Sequence, residues 1–461
     1  MARRKPPKHS QTSSQVSPPD SAEPSAENSA GIPTKGPQFG EPSPTPDPTK
    51  FTVKHGSDAQ AYKILDSQKG SLQPRSFPTA SMPEPTLTLA DALGPKGPDI
   101  ENAITRAEQI VFHSVGDTGN TKGPHDMELV TDKMVSDYTE TDPRNVPSFL
   151  YHLGDVVYSF GESQYYYDQF YDPFRNYPAP ILAIPGNHDG MVAPNSAAPT
   201  LAAFLENFCA TGQPSHRTPE AGGLARTAQV QPAIYFTLEA PFVRILGLYS
   251  NCLEDPGVIS DQGGTYRSLP GDQLTFLEAA LQRVKKEKFT GAVLIAVHHP
   301  PYVAVTRSPK MNTGRHGGSP LMLKDIDIAC ANAGVWPHAV LSGHAHNYQR
   351  FTRSLDDRET PFVVAGNGGH AIQPLTQRGT PTLRTPAVQA SLSNGSDQVV
   401  FENYDDADYG YLRIIADAQQ LRIEYHPASD GAAAKTPDDS VTVDLASYKI
   451  VPYKLPDSAA S

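Results

Sequence analysis

Phe149-Leu150-Tyr151-His152-Leu153 is an apolar run that stops at Gly154-Asp155, with Val156-Val157-Tyr158 directly after it. A short apolar run closed by a glycine reads as a buried strand. The carboxylate of Asp155 then sits just past the strand's carboxyl end. The same arrangement recurs in both directions along the chain. Ile110–Val115 stops at Gly116-Asp117, and Ile181–Ile184 stops at Pro185-Gly186-Asn187-His188-Asp189. Ala292–Val297 stops at His298-His299-Pro300-Pro301, Val340-Leu341 lead into Gly343-His344-Ala345-His346, and Phe362–Ala365 ends in Gly366-Asn367-Gly368-Gly369-His370. In α/β sheets this edge is where ligands bind, so separate strands can bring distant residues to one place.

Between these runs lie helical patterns. Met127, Val130, Met134 and Val135 fall at helical spacing. Asp272 is expected to cap a helix with Leu274, Leu277, Leu281 and Val284 on one face and Lys285, Lys286 and Lys288 near its C-terminus. Ala233–Leu238 and Val243–Tyr249 read as a strand pair, and Tyr411–Ala416 with Leu421–His426 as a hairpin. Strands alternating with helices predict an α/β fold.

The 461-residue chain carries a net charge of −12, which disfavours a general nucleic-acid binder. The basic head (Arg3, Arg4, Lys5, Lys8) reads as a solvated terminus. Residues 1–50 are Pro- and Ser-rich with few large apolar side chains, and are expected to be a disordered tail. Residues 51–104 read as an extended arm or linker, and 105–455 as the catalytic domain. Cys209, Cys252 and Cys330 give no disulfide framework. No run is long enough to span a bilayer, and no secretory signal is visible at the N-terminus. The segments Gly190–Gln231 and Gln373–Asn403 exceed ordinary loop lengths and are expected to form a lid or rim.

Each short motif alone is weak, because Gly-Asp and Gly-Asn are common turns. Their combination carries more. Five successive strand ends present Asp117, Asp155, Asn187 with His188, His298, and His344 with His346. A hydrolytic two-metal site needs such hard oxygen and imidazole donors, with one carboxylate able to bridge. In an extended segment, His344 and His346 would share a face and reach neighbouring ions.

The order GD, GDxxY, GNHD, HHP, GHAH resembles the calcineurin-like metallophosphoesterase superfamily, over about Ile110 to His346. Most members open with Asp-x-His, whereas this chain has Asp117-Thr118-Gly119 and carries Tyr158 in the second motif. That exchange looks like purple acid phosphatases, as do Asn347-Tyr348-Gln349-Arg350 and Asp408-Tyr409-Gly410-Tyr411-Leu412. The resemblance implies two facing mixed β-sheets flanked by helices, a four-layer sandwich. It implies that Asp117, Asp155, Tyr158 and His346 hold Fe(III). Asn187, His298 and His344 would complete a site for a divalent ion (Fe, Zn or Mn), with Asp155 bridging. His188 would be the catalytic residue, protonating the leaving oxygen or stabilising the phosphoryl charge. The implied activity is hydrolysis of small phosphorylated substrates by a dinuclear-metal-activated hydroxide. Phosphomonoesters stand first, phosphodiesters or pyrophosphate second, and an inactive protein-binding scaffold is the remote alternative.

Asn120, His299 and His370 are candidate substrate contacts, although His299 should face away from His298 if both lie in a strand. His113 and His152, inside apolar runs, read as core histidines. His216, Arg315 and His316 lie in polar loops and read as flexible surface. Tyr165, Tyr166 and Tyr167 read as packing residues and Trp336 as buried. Residues 1–100 lack the alternating strands of the N-terminal β-sandwich found in plant-like family members. Family members are often exported, so the compartment is not assigned, nor is the oligomeric state.

Overall fold

The computed structural model of the protein describes residues 74–192, 197–210, 218–222, 224, 226–304, 306–307, 314–375, 398–429 and 436–455. The expected tail (1–50), the first part of the expected arm (51–73), His216, and residues 376–397 of the second long segment lie outside the described residues.

The order begins with β1 (Thr86–Thr88), α1 (Leu89–Leu93), α2 (Gly97–Ala107), β2 (Ile110–Val115), α3 (His125–Ser136), β3 (Leu150–His152) and β4 (Ile181–Ala183). It continues with α4 (Asn187–Gly190), α5 (Ala202–Phe208), β5 (Phe236–Ala240), β6 (Val243–Leu248), α6 (Asp272–Glu287) and β7 (Ala292–Val297). A small hairpin of β8 (Thr306–Arg307) and β9 (Gly314–Arg315) precedes α7 (Pro320–Ala333). The last strands are β10 (Ala339–Ser342), β11 (Tyr348–Leu355), β12 (Arg358–Ala365), β13 (Gln398–Asp405), β14 (Gly410–Ala416), β15 (Gln420–Pro427), β16 (Asp439–Asp444) and β17 (Lys449–Ile450).

Two mixed sheets result, as expected. One has eight strands in the order β1-β5-β6-β7-β10-β12-β11-β13, and the other seven in the order β17-β16-β15-β14-β2-β3-β4. Strands β6, β7, β10 and β12 run parallel, as do β2, β3 and β4. The carboxyl ends of each set therefore lie along one edge.

Side-chain alternation divides the core into layers. Phe112, Tyr151 and Leu182 from the smaller sheet join Phe236, Ile245, Leu294 and Leu341 from the larger one in a single buried cluster between the sheets. Tyr348 of β11 stacks on Tyr425 of β15 at 4.0 Å across that layer. The alternate residues, such as Leu150, Ile181, Val293 and Ile295, pack outward with Met134 of α3, Leu277 and Leu281 of α6 and Ile326 of α7. Strands covered on both faces read as continuous apolar runs, which is why they stand out in the sequence.

Several elements differ from expectation. The described part of the arm is built into the domain. Strand β1 pairs in parallel with β5, Thr86 opposite Thr237, and Leu87, Leu89 and Leu93 enter the layer between the sheets. With Ala92 and Ile104 and the β1–β5 pairing, these positions dock a segment that looks Pro-rich and extended. Gly271, not Asp272, is the N-cap of α6; Asp272 sits in its first turn, where its charge still suits the helix dipole. Strand β11 does not stand out because polar Thr352 and Arg353, one on each face, are buried in it. It turns into β12 through Asp356 and Asp357, both left-handed at φ 47° and 63°, the type I′ pattern of a tight hairpin. Trp336 is half-buried rather than buried, with the Arg358 guanidinium 4.4 Å above its ring. All three cysteines are free. Among the described residues, no helix is long and apolar enough to cross a membrane.

Phe112 stacks on Phe149 at 4.7 Å between the sheets, on the strand that leads to Asp117. Phe112→Ala should destabilise the fold by about 3–5 kcal/mol through cavity formation, read as a lower midpoint in chemical denaturation.

Candidate metal centre

Three of the expected ligands share an unusual backbone. Asp117, Asp155 and His344 each follow a strand and a glycine, and each is left-handed, at φ 57°, 56° and 67°. This conformation costs a non-glycine residue on the order of 1 kcal/mol or more, so surrounding contacts must hold it. Asp117 N–H donates to Gly154 carbonyl at 2.9 Å. His344 N–H donates to Asp117 Oδ2 at 2.8 Å, and His188 N–H to Asp155 Oδ1 at 2.9 Å. The left-handed residue breaks strand alternation and turns the side chain inward at the strand end. A glycine beside it allows close approach: a Cβ on Gly186 would lie 2.1 Å from Asp155 Oδ1.

Seven side chains converge there, each no more than 4% exposed: Asp117, Asp155, Tyr158, Asn187, His298, His344 and His346. They form two groups. In the first, Tyr158 hydroxyl donates to Asp117 Oδ1 at 3.0 Å, and His346 Nε2 lies 3.3 Å from that hydroxyl and 3.5 Å from Asp117 Oδ1. In the second, Asn187 Oδ1 lies 3.0 Å from His298 Nε2 and 3.1 Å from His344 Nδ1. Asp155 Oδ2 lies 3.4 Å from His298 Nε2. Ligand atoms of Asp117, Asp155 and His298 all fall within 4.8 Å of one another. Donors sharing one ion at roughly 2.0–2.2 Å sit about 3 Å apart, which these separations match.

The opposite nitrogens fix the rings. His298 Nδ1 pairs with Leu153 carbonyl at 2.8 Å, and His346 Nδ1 with Ala371 carbonyl at 3.1 Å, so each presents Nε2 to the centre. His344 is reversed and presents Nδ1. His344 and His346 therefore do not share a face of an extended segment. The left-handed turn at His344 sends one imidazole to each group.

The electrostatics ask for a cation. Burial and the neighbouring Asp155 charge raise the Asp117 carboxyl well above its ordinary range. Burial alone would raise Asp155 too, but His298, His188 and His344 outweigh it and hold it well below. Burial would lower His298, yet Asp155 and Asp117 outweigh it and bring the imidazole to about 9. Burial, then Asp117 and Asp155, push the Tyr158 phenol well above its usual value, so without a cation it keeps its proton. Asp155 Oδ2 and Asn187 Nδ2 are buried without a hydrogen-bond partner. An orphaned carboxylate oxygen among imidazoles, an amide oxygen and a phenol is a donor set that metal ions fit.

His188 sits beside the centre, 6% exposed, with Nδ1 2.9 Å from Ser159 carbonyl. Its ring packs 4.4 Å from Tyr158, whose other neighbour, His370, stacks at 3.8 Å. His370 Nδ1 pairs with Gly119 carbonyl at 2.8 Å. Asn120 spends its amide on Gly369 carbonyl at 2.8 Å and accepts Lys122 N–H at 2.9 Å, which ties two loops together. His299 is fully buried, with Nδ1 2.7 Å from Ser250 Oγ and Nε2 2.8 Å from Leu253 carbonyl. Both nitrogens of His299 thus anchor the loop after β6. His113 and His152 are buried and hydrogen-bonded, to Asp137 and Thr118 respectively.

His316 differs from expectation: it is 4% exposed, not surface, and its Nδ1 lies 3.0 Å from His344 Nε2. Its ring is 5.3 Å from that of His346. Asp255 accepts Gly317 N–H at 2.9 Å and lies 3.7 Å from His344 Nε2, so it pins the same loop. No apolar strand leads directly into His316, so the strand-end pattern does not reveal it. Asp189 accepts from Gly186, Val156 and Val157 N–H groups and so locks the second and third motifs together.

Gly186→Ala should force Asp155 aside and lower metal affinity by about 10–100-fold, as loss of ligand support does; metal content after dialysis against graded chelator reads this directly.

A family profile described as Calcineurin-like phosphoesterase matches residues 112–348. A curated relative, "Probable inactive purple acid phosphatase 9" of Arabidopsis thaliana, is 22% identical over 304 residues, 62% of this chain and 42% of that protein. The chain thus spans under half the length of that relative. Among solved structures, one of PhoD has a TM-score of 0.44 at 14% identity, covering 76% of this chain and 72% of its own. A predicted phosphoesterase of Streptococcus pneumoniae has a TM-score of 0.25 at 10% identity, covering 73% of this chain and 98% of its own. With the profile matching just over half of the chain, from within β2 to the start of β11, the protein belongs to the calcineurin-like phosphoesterase family.

Proposed function

We infer that this chain is a metal-dependent hydrolase of phosphate esters with a dinuclear centre, acting on phosphomonoesters ahead of phosphodiesters or pyrophosphate. The observation that carries the reading is the convergence of the seven buried donors, in two groups, about the orphaned oxygen of Asp155. Asp117, Tyr158 and His346 would hold one ion, and Asn187, His298 and His344 the other, with Asp155 between them. The phenol and carboxylates suit Fe(III), and the imidazole and amide group suits a divalent ion, Fe, Zn or Mn. When bound, the ions supply Lewis acidity: they lower the pKa of water and neutralise charge on the phosphoryl oxygens.

The chain's own residues do the rest. Left-handed turns at Asp117, Asp155 and His344 fix the donors before any substrate arrives. His188, held through Nδ1 by Ser159 carbonyl, would turn Nε2 to the substrate and give its proton to the leaving oxygen. His370 backs Tyr158 from the other face. His316 places a further imidazole beside His344, where a phosphoryl oxygen would lie.

The name of the Arabidopsis relative suggests a second reading, a binding protein without catalysis. The complete donor set weighs against it. Metal quantification with an absorption spectrum separates the two readings. Two ions per chain and a visible phenolate-to-iron band are expected; one ion or none would favour the binding protein. A colourless, active protein would remove iron and keep the hydrolase. Comparing rates on a monoester and a diester of the same leaving group tests the substrate order.

His188→Ala should lower turnover by about 10²–10⁴-fold with metal content unchanged. Loss of metal in the same proportion would assign it to the ligand set instead.

A further inference from the structure

His344 turns its two nitrogens to different partners. Nδ1 faces the centre, 3.1 Å from Asn187 Oδ1, and Nε2 lies 3.0 Å from His316 Nδ1. The two imidazoles meet edge-on, with centroids 4.3 Å apart and planes at 81°. His316 is left-handed, at φ 57°, and buried, so its surroundings must hold it there. Two segments do so. Asp255 accepts Gly317 N–H at 2.9 Å, and Ser319 Oγ accepts Gly257 N–H at 2.7 Å, which clasps residues 250–257 to residues 316–319. Each segment is also tied to the residues that follow β7. His299 holds the first through Ser250 Oγ and Leu253 carbonyl, and Pro300 carbonyl accepts Ser319 N–H of the second at 3.0 Å.

We propose that His316 is a positioning residue for the second ion: its Nδ1 accepts the Nε2 proton of His344 and so keeps Nδ1 of His344 free to bind metal. The inference rests on the hydrolase reading, in which His344 is a ligand of that ion. A neutral imidazole that coordinates through Nδ1 carries its one proton on Nε2. That proton needs an acceptor, and the nitrogen 3.0 Å away supplies one only when it carries no proton itself. His316 then has its own proton on Nε2. The other two imidazole ligands follow the same rule with backbone partners: His298 Nδ1 meets Leu153 carbonyl, and His346 Nδ1 meets Ala371 carbonyl. For His344 the corresponding partner is a side chain. Asp255, 3.7 Å from His344 Nε2, adds negative charge that favours the proton at that nitrogen.

The test measures zinc affinity of the full chain by competition with graded chelator, with no substrate present. The unaltered protein should bind two zinc ions. His316→Leu keeps the bulk and removes the acceptor; it should weaken one ion by about 10–100-fold and leave the other unchanged. His316→Asn returns an oxygen to the place of Nδ1 and should recover most of that loss. Asp255→Ala, at a partly exposed position, should weaken the same ion by about three- to tenfold, and stays readable should His316→Leu fold poorly. Unchanged affinity in His316→Leu, a loss shared by both ions, or equal weakening in His316→Leu and His316→Asn would overturn this inference and leave the hydrolase reading intact. Unaltered protein that binds one zinc ion or none would overturn both.

Discussion

Asp117 and Asp155 bury two carboxylates side by side, and everything else in this molecule is arranged around that fact. Isolated charges in a protein interior are costly, and a like-charged pair more so. The surrounding imidazoles answer it in part. His298 is drawn toward its protonated form by the two carboxylates, and Tyr158 keeps its proton while hydrogen-bonded to Asp117. The oxygen of Asp155 that no hydrogen bond reaches shows that the protein's own groups do not complete the balance. Bound metal would supply the missing positive charge, and the buried donors are already near the separations that shared coordination requires.

The fold explains how such a pair can be assembled. Strands β2, β3 and β4 run parallel and deliver Asp117, Asp155 and Asn187 to one edge of the smaller sheet. Strands β7 and β10 run parallel in the larger sheet and deliver His298 and His344. The apolar layer between the sheets fixes the two edges against each other. A substitution in that layer therefore acts on the centre without touching it, because the donors belong to both sheets.

The family profile places the chain in its family but leaves its particular chemistry to its own residues. One curated relative carries a name that denies activity, and the solved neighbours are distant. Beside the centre lie a histidine brought in behind a small hairpin, the glycine that follows it, and a carboxylate that pins that loop. None of these belongs to the strand-end motifs. They lie in connecting segments, where substrate choice is commonly set.

Local patterning marked the strand-end carboxylates, amide and imidazoles, the strands that lead to them and the α/β class, while Tyr158 entered only through the family resemblance. A strand covered on both faces writes itself as an apolar run, and a glycine before a ligand marks a tight turn. Tertiary structure decided which donors work together. The two imidazoles reach the two expected groups, but through a left-handed turn at His344 and not through the shared face of an extended segment. Folding also carried His316 from an apparent surface loop to within 3.0 Å of His344, and gave Asn120 and His299 protein partners. It docked residues 86–107 into the domain through a few leucines. Contacts between residues far apart in the chain leave no periodic trace in the sequence, so only the packed sheets reveal them.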